Sequence, residues 1–427
     1  MSTLRRDRAG ASIRVRPSGP LSGTVDVGGA KNSVLKLMAA TVLAEGTFVV
    51  DNVPAIVDVA CMGDLLASMG MTVDRSAPHR LTIVSPADIT PVAPYELVER
   101  MRASIVVLGP LLARFGHARV ALPGGDDFGP RPIDMHLRGL EQLGAHFEMT
   151  HGYIDGRCDR LLGAELLLEF PSVGATENAL MAAVLAKGTT VVDNAAREPE
   201  IADLAAFLNR MGGQIEGAGS STIRVEGVER LTAVQHRVIP DRIEAATYLA
   251  AVGMAGGEIA LRGARADHMD MFVQKLGDMG MRISPGNDGM WAMASGRLRS
   301  TDVVTLPYPG VATDYKPLLT SLLAVSEGVG IITENIFGGR FRYIDELVRM
   351  GADIRTDAHH AVVRGVEALS GAPVKASDIR AGAALVIAGL RAEGETVVHN
   401  AEHIDRGYED LAGKLAGLGA DVERVET

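Results

Sequence analysis

The chain has little of what a disulfide-stapled, base-stacking or membrane-bound protein needs. Its 427 residues include two cysteines, one tryptophan, and aromatics at only 4%. Cys61 and Cys158 cannot build the disulfide framework of a small secreted domain, and neither lies in a C-x-x-C pair, so a reducing, cytoplasmic setting is expected. Few aromatics leave little with which to stack bases, and a formal net charge of −11 is the opposite of a polyanion binder's basic face, so nucleic acid is not an expected partner. No uninterrupted apolar run reaches the roughly 18 residues of a membrane span. The basic stretch Met1 to Arg16 is followed by no signal-peptide core, so the protein reads as soluble and unexported, without membrane insertion. Arg5, Arg6 and Arg8 read as a frayed tail.

What the chain does have is apolar substance, 47% hydrophobic residues over a length that suits two or three domains. It also has an internal repeat. A Met/Leu-Gly pair closing an apolar helix recurs at Met69-Gly70, Leu143-Gly144, Met211-Gly212, Met279-Gly280, Met350-Gly351 and Leu418-Gly419, spaced 68 to 74 residues apart. Upstream of each pair, by 23 to 28 residues, stands another glycine expected to end a first helix: Gly46, Gly116, Gly188, Gly256, Gly328 and Gly394. Between the two glycines come a short alternating strand, such as Thr189 to Asp193, a polar turn and a second helix; further strands follow, such as Ile223 to Val225. The chain therefore reads as six copies of a β-α-β-α-β-β unit, an α/β protein.

Fourteen residues before the first-helix glycines lie Asn32, Arg102, Gly174, Arg242, Asp314 and Arg380, each at or near an expected helix start. Helix N-termini carry free N–H groups and partial positive charge, so several of them converging would attract phosphate and carboxylate. Asn and Asp are also ordinary helix caps. Arg at a helix start is disfavoured by the dipole, and Arg102 and Arg380 are better explained by an anion held between guanidinium and helix end. The run from Pro123 to Pro132 adds a carboxyl and a guanidinium, Asp126 and Arg131, on a glycine-rich loop. Its composition also suits a plain turn, but such a loop can close on a ligand, with Asp126 offering a proton and Arg131 gripping an anion.

At these positions the chain resembles the enolpyruvyl transferases, and among them the branch acting on UDP-N-acetylglucosamine. The resemblance rests on Gly29-Ala30-Lys31-Asn32, Met101-Arg102-Ala103-Ser104, Pro123-Gly124-Gly125 through Arg131-Pro132, and Ser172 to Thr176. Further signatures are Ala196 to Glu200, Pro240 to Glu244, Thr313-Asp314, Ser377 to Ala381 and His403 to Tyr408. It implies two domains, each an inside-out α/β barrel of three units, with the ligand cleft between them. One domain would span 31–239, the other 1–30 plus 240–427. It also implies transfer of the enolpyruvyl group of phosphoenolpyruvate to the 3-hydroxyl of the nucleotide sugar, by addition and then elimination of phosphate, the first committed step of peptidoglycan synthesis. Neither metal nor organic cofactor is implied, and oligomeric state is left open.

By the same resemblance, Lys31, Arg131 and Arg406 would hold the donor phosphate, Arg340, Arg380 and Arg406 its carboxylate, and Asn32 would also bind phosphoenolpyruvate. The nucleotide sugar would meet Asn32, Arg102, Arg131, Pro132, Ile133, Asp134, Met135, Ser172, Val173 and Gly174. Asp314 would take or orient the sugar hydroxyl proton, the Ile336 carbonyl would position the sugar, and Phe337 would pack nearby. Asp126, Asp314 and Lys31 would be catalytic; read locally, Asp314 could instead be a helix cap and Lys31 a solvated side chain. Glu198, Glu200, Asp241 and Glu244 read mainly as fold and hinge residues. The chain departs from the family pattern in carrying Asp126 where many members have cysteine. It also has Tyr315-Lys316 where a glutamine-containing continuation is common, and Gly338-Gly339 before Arg340. The sister enzyme that makes enolpyruvylshikimate phosphate, a catalytically idle nucleotide-sugar binder, and transfer onto a modified nucleotide sugar are the alternatives.

Overall fold

The computed structural model describes residues 10–124 and 132–426. Among them, six four-stranded sheets share one connectivity. In each, an edge strand lies parallel to a central strand, which pairs antiparallel with a third, itself antiparallel to a fourth. In one, Val92–Ala93 runs parallel to His117–Ala121, which pairs antiparallel with Tyr153–Arg157, and that with His146–Thr150. Helices enter between edge and central strand, and between central and fourth strand, which is the expected β-α-β-α-β-β order.

All twelve repeat glycines have positive φ, from +70° to +133°. That conformation is nearly free for glycine and costly for a side chain, so their periodicity in the sequence is a backbone requirement made visible. The first glycine differs in place from expectation in four of the six units. Only Gly116 and Gly256 stand at the helix C-cap. The helices ending at Ala40, Ala183, Val325 and Gly389 stop earlier, and Gly46, Gly188, Gly328 and Gly394 instead turn the chain into the central strand.

The first helices of the repeats are apolar nearly all round, which places them inside. Every residue is buried in Lys316–Val325 and Ile379–Gly389, and nearly every one in Arg242–Ala255. These three pack on one another. The second helices, such as Asp270–Met279 and Pro199–Arg210, keep an exposed face. Helices at the centre and sheets outside make each unit an inside-out α/β barrel. Close packing needs small residues: Gly109 donates its N–H to Asn178 Oδ1 at 2.8 Å, and a Cβ there would stand 2.6 Å from the Asn178 carbonyl oxygen.

The described residues divide into two compact units, one holding 29–124 and 132–239, the other 10–28 and 240–426. Each has its own apolar core. Strands distant in sequence close each ring. Gln235–Arg237 joins Gly46–Asp51 in one unit. In the other, Leu21–Asp26 joins Gly257–Arg262, and Ala11–Val15 lies between Thr396–His399 and Val422–Glu426. No described helix is long and apolar enough to cross a membrane.

Near the division, paired segments hold the crossing chain. Asp241 N–H donates to Gly28 O at 2.8 Å, Gly28 N–H to Glu244 Oε2 at 2.7 Å, and Ala30 N–H to Ile239 O at 2.8 Å. Gly29 admits no side chain, since a Cβ would lie 1.7 Å from the Asn52 carbonyl oxygen. Asp241 caps Arg242–Ala255, accepting from Ile243 and Glu244 N–H. Glu244, raised by burial, accepts from Tyr248 and Lys414.

Gly109→Ala should lower stability by about 1–3 kcal/mol through overpacking. Gly277→Ala, in an exposed helical turn with open space around the new methyl, should raise it by up to about 1 kcal/mol. Denaturant midpoints moving in the same direction for both would contradict this packing.

Candidate active site

The six helix-start positions behave as one address. Asn32, Gly174 and Arg380 are second residues of their helices, Arg102 and Arg242 first residues, and Asp314 stands two before Lys316–Val325. The unit Gly29 to Ile239 holds Lys31, Asn32, Arg102, Pro132 to Met135 and Ser172 to Gly174; the other holds Asp314, Ile336, Arg340, Arg380 and Arg406. Asp126 and Arg131 lie outside the described residues.

In the first group, Lys31 is not a solvated side chain. It is buried at the start of its helix, with Nζ 3.0 Å from Asp58 Oδ2. Asp58 is an acidic residue inside the apolar run Ile56 to Ala60, and a buried carboxylate in such a run signals a cationic partner. Ser33 Oγ donates to Asp203 Oδ2 at 2.5 Å, and Asp203 Oδ1 lies 2.8 Å from His236 Nε2, which pins the same helix start. One turn on, Lys36 Nζ donates to Asn32 O at 2.8 Å and stands 3.3 Å from Glu177 Oε1. Burial pushes the Glu177 carboxyl up to about 7 despite that lysine.

Arg102 opens the short turn Arg102–Val107, which packs on Lys31–Ala40 and Val173–Ala183. Burial lowers its pKa, and no described residue supplies it an acceptor. A desolvated guanidinium without a carboxylate is what an anionic ligand would complete. Ser172 caps Val173–Ala183, accepting from Ala175 N–H. At Gly174 a Cβ would stand 2.7 Å from His136 Cε1. Ile133 is the cap position of Asp134–Gln142, Pro132 is exposed, Met135 packs on the core, and Asp134 pairs with Arg138.

His136, which sequence reasoning missed, is buried where these elements meet, its Nδ1 2.8 Å from Asn178 Nδ2. Its sequence signal is position alone, one residue past the Arg131 to Met135 segment. Burial and the Arg102 charge push its pKa down to about 4. The neutral ring can accept from Asn178 without adding positive charge beside Arg102.

The second group is an ion-pair web. Asp314 is not a helix cap; the cap position of its helix is Tyr315, without a side-chain cap bond. Its carboxylate instead accepts from Arg340 Nη1 at 2.7 Å on one oxygen and from Arg380 Nε at 3.1 Å on the other. Burial would raise its pKa, but the two guanidiniums more than offset this and hold it well below the usual carboxylate range. Asp378 caps Ile379–Gly389 through Arg380 and Ala381 N–H and lies 3.8 Å from Arg340. Arg380 Nη1 is buried without a hydrogen bond of good geometry, while Tyr408 interacts with the same guanidinium, its ring centroid 5.4 Å from Cζ. Arg242 donates to the Tyr315 hydroxyl at 3.1 Å. Half-buried Arg406 follows the short helix Glu402–Asp405.

Lys316 and Glu334 are likewise absent from the sequence-based site. Both side chains are fully buried and 2.9 Å apart. Glu334 Oε1 accepts from Ile336 N–H at 2.8 Å and Phe337 N–H at 3.0 Å. No described donor reaches the Ile336 carbonyl. Gly338 and Gly339 are exposed, and a Cβ at Gly338 would meet nothing, so this departure imposes no packing demand here.

The buried imidazole carries a pH signature. The unfolded His136 ring takes its proton near 6.5 while the folded one resists until about 4. Unfolded chain therefore binds more protons in that window, and stability should fall as pH drops from about 6.5 toward 4. Ring titration of His136 by NMR with a midpoint above 6 would refute its burial beside Arg102.

Comparison with known proteins follows the same lines. Residues 15–415 match the family described as EPSP synthase (3-phosphoshikimate 1-carboxyvinyltransferase). The chain is 52% identical to the UDP-N-acetylglucosamine 1-carboxyvinyltransferase of Mycolicibacterium paratuberculosis over 406 residues, covering 95% of this chain and 97% of that one. Identity to the protein of the same name from Nocardia farcinica is 52% over 410 residues, covering 95% and 96%. Among solved structures, the enolpyruvyl transferase NikO from Streptomyces tendae superposes with a TM-score of 0.88 at 27% identity, covering 98% of this chain and all of that one. The EPSP synthase of Acinetobacter baumannii shares the fold at a TM-score of 0.75 and 19% identity, covering 97% of this chain and 100% of that one. With the family match spanning nearly its whole length and half its residues shared with such relatives, the chain belongs to the EPSP synthase family of enolpyruvyl-transferring enzymes.

Proposed function

We propose that the protein transfers the enolpyruvyl group of phosphoenolpyruvate to the 3-hydroxyl of UDP-N-acetylglucosamine, releasing phosphate, and so opens peptidoglycan synthesis in the cytoplasm. The observation that carries this reading is the Asp314 carboxylate held between the buried guanidiniums of Arg340 and Arg380. Identity of about half over 95% of the chain to relatives named for this reaction supports the choice of acceptor substrate.

The chemistry needs cations for a phosphate and a carboxylate, an acid for the methylene carbon and a base for the sugar hydroxyl. Lys31, Arg131 and Arg406 serve the donor phosphate; Arg340, Arg380 and Arg406 serve its carboxylate, and Asn32 also binds the donor. Asp126 protonates the methylene carbon while the sugar 3-oxygen bonds to the adjacent carbon, giving a tetrahedral adduct that still bears phosphate. Loss of a methyl proton and of the phosphate then restores the double bond. Arg102, with Arg131 through Met135 and Ser172 through Gly174, receives the nucleotide sugar.

Asp314, ionised throughout the working pH range, orients the sugar hydroxyl. Held by two guanidiniums it is a weak base. A donor carboxylate that draws Arg340 and Arg380 toward itself restores basicity when the proton must leave.

Phosphate release should require both substrates, be indifferent to chelators, and be absent with shikimate 3-phosphate. Turnover with the latter, or with a modified nucleotide sugar but not UDP-N-acetylglucosamine, would reassign the acceptor. Arg406→Ala should chiefly impair phosphoenolpyruvate use, by about 2–5 kcal/mol where a buried charged partner is left alone, and Arg102→Ala nucleotide-sugar use. Equal defects toward both substrates in both variants would contradict these assignments. Asp126→Asn should abolish turnover yet still bind nucleotide sugar. Fosfomycin, which alkylates a thiolate, should leave the protein unmodified and should modify Asp126→Cys, since a carboxylate is the poorer nucleophile. A fosfomycin adduct on the unaltered protein by mass spectrometry would show the loop role to be misassigned.

A further inference from the structure

Lys316 and Glu334 stand apart from the groups already given roles. Both are fully buried, and neither touches the Asp314 carboxylate through any contact described above. Burying a charge pair is costly, and a pair of well-packed apolar side chains often serves stability as well or better. Their contacts show what they do instead. Lys316 Nζ donates to the Arg340 carbonyl oxygen at 2.5 Å and lies 4.0 Å from the Phe341 ring centroid. Glu334 accepts from Thr305 Oγ1 at 2.8 Å, from Thr313 Oγ1 at 2.8 Å, and from the N–H groups of Ile336 and Phe337. Thr313 Oγ1 in turn accepts from Arg340 Nη1 at 3.2 Å, the nitrogen that also holds Asp314.

Apart from Thr305, the partners in this web lie on the segments that carry Asp314, the Ile336 carbonyl and Arg340. The lysine fixes the main chain at Arg340. The glutamate fixes the neighbour of Asp314 and the turn bearing the Ile336 carbonyl. Two segments, Thr313 to Lys316 and Glu334 to Phe341, are thereby tied together by one buried carboxylate and one buried ammonium. We propose that the Lys316–Glu334 pair is a positioning device that sets the register between Asp314 and Arg340, and so the geometry of the donor-carboxylate subsite. This rests on the reading in which Arg340 serves the phosphoenolpyruvate carboxylate.

A glutamine at 316 keeps one donor but is too short and uncharged to reach both the Glu334 carboxylate and the Arg340 carbonyl. Lys316→Gln should therefore raise the KM for phosphoenolpyruvate by about tenfold to a hundredfold, as expected when a clamp is displaced by a fraction of an ångström to an ångström. The KM for UDP-N-acetylglucosamine should stay within about twofold, because Lys316 reaches the Ile336 turn only through Glu334, which keeps its own hydrogen bonds from Thr305, Thr313, Ile336 and Phe337. Glu334→Gln, which also loosens the Ile336 turn, should raise both.

Arg340→Ala, measured in parallel, separates the two claims. If it leaves phosphoenolpyruvate KM unchanged, the donor role of Arg340 fails. If it raises that KM and a folded Lys316→Gln does not, the positioning role alone is overturned. Should either single variant unfold, the double variant Lys316→Met with Glu334→Leu removes both charges from the interior. Full thermal stability with a raised donor KM supports positioning, and parental kinetics in that protein overturn it.

Discussion

Burial of the inner helices on all sides is the constraint on which the rest depends. A helix that is apolar all round cannot present polar chemistry along its length. Its N-terminus is the exception, where free N–H groups and partial positive charge gather. Six such helices arranged in two rings of three bring their ends together within each ring. Lys31, Asn32, Arg102 and Gly174 belong to one set of ends, Arg242, Asp314 and Arg380 to the other. Most of the charged groups on these helices stand at or within about one turn of those ends, Lys36 and Glu177 among the latter.

Charged groups at such ends are desolvated, and each must find a counter-charge or remain poised for one. Lys31 leans on Asp58, Lys36 on Glu177, Lys316 on Glu334, and Asp314 on two arginines. Arg102 has no counter-charge among the described residues, and Arg380 Nη1 has no hydrogen bond of good geometry. Coulomb attraction wins over desolvation at Asp314, since two cations act on one carboxylate, and loses at Glu177, where one lysine faces a fully buried acid with other glutamates nearby. The same two opposing effects thus give one carboxylate ionised at every working pH and another that titrates near neutrality.

Much of this was legible beforehand because glycine and charge obey local rules. Gly70, Gly144, Gly212, Gly280, Gly351 and Gly419 recur because each helix ends in a left-handed residue, and that need is written in one position. Asp58, His136, Glu177, Lys316 and Glu334 were not legible as members of the site. Asp58 stands out only as a lone acid in an apolar run, the others hardly at all, and the meaning of each comes from a partner outside its stretch. Lys316 could be seen as a departure from the family pattern, but not as the ammonium that ties Arg340 to Glu334.

The sequence by itself determined the six-fold repeat, the α/β class, the family and the addresses at which chemistry would stand. Periodic glycine, apolar runs and charged residues at helix starts are properties of single segments, readable without knowing what lies beside them. Tertiary structure decided which charges meet. It turned Asp314 away from its own helix and onto Arg340 and Arg380, seated Lys31 against Asp58, and placed a neutral histidine between Arg102 and Gly174. Those outcomes follow from electrostatics at low dielectric, where the distance between groups remote in sequence sets the energy, and only the folded chain supplies that distance.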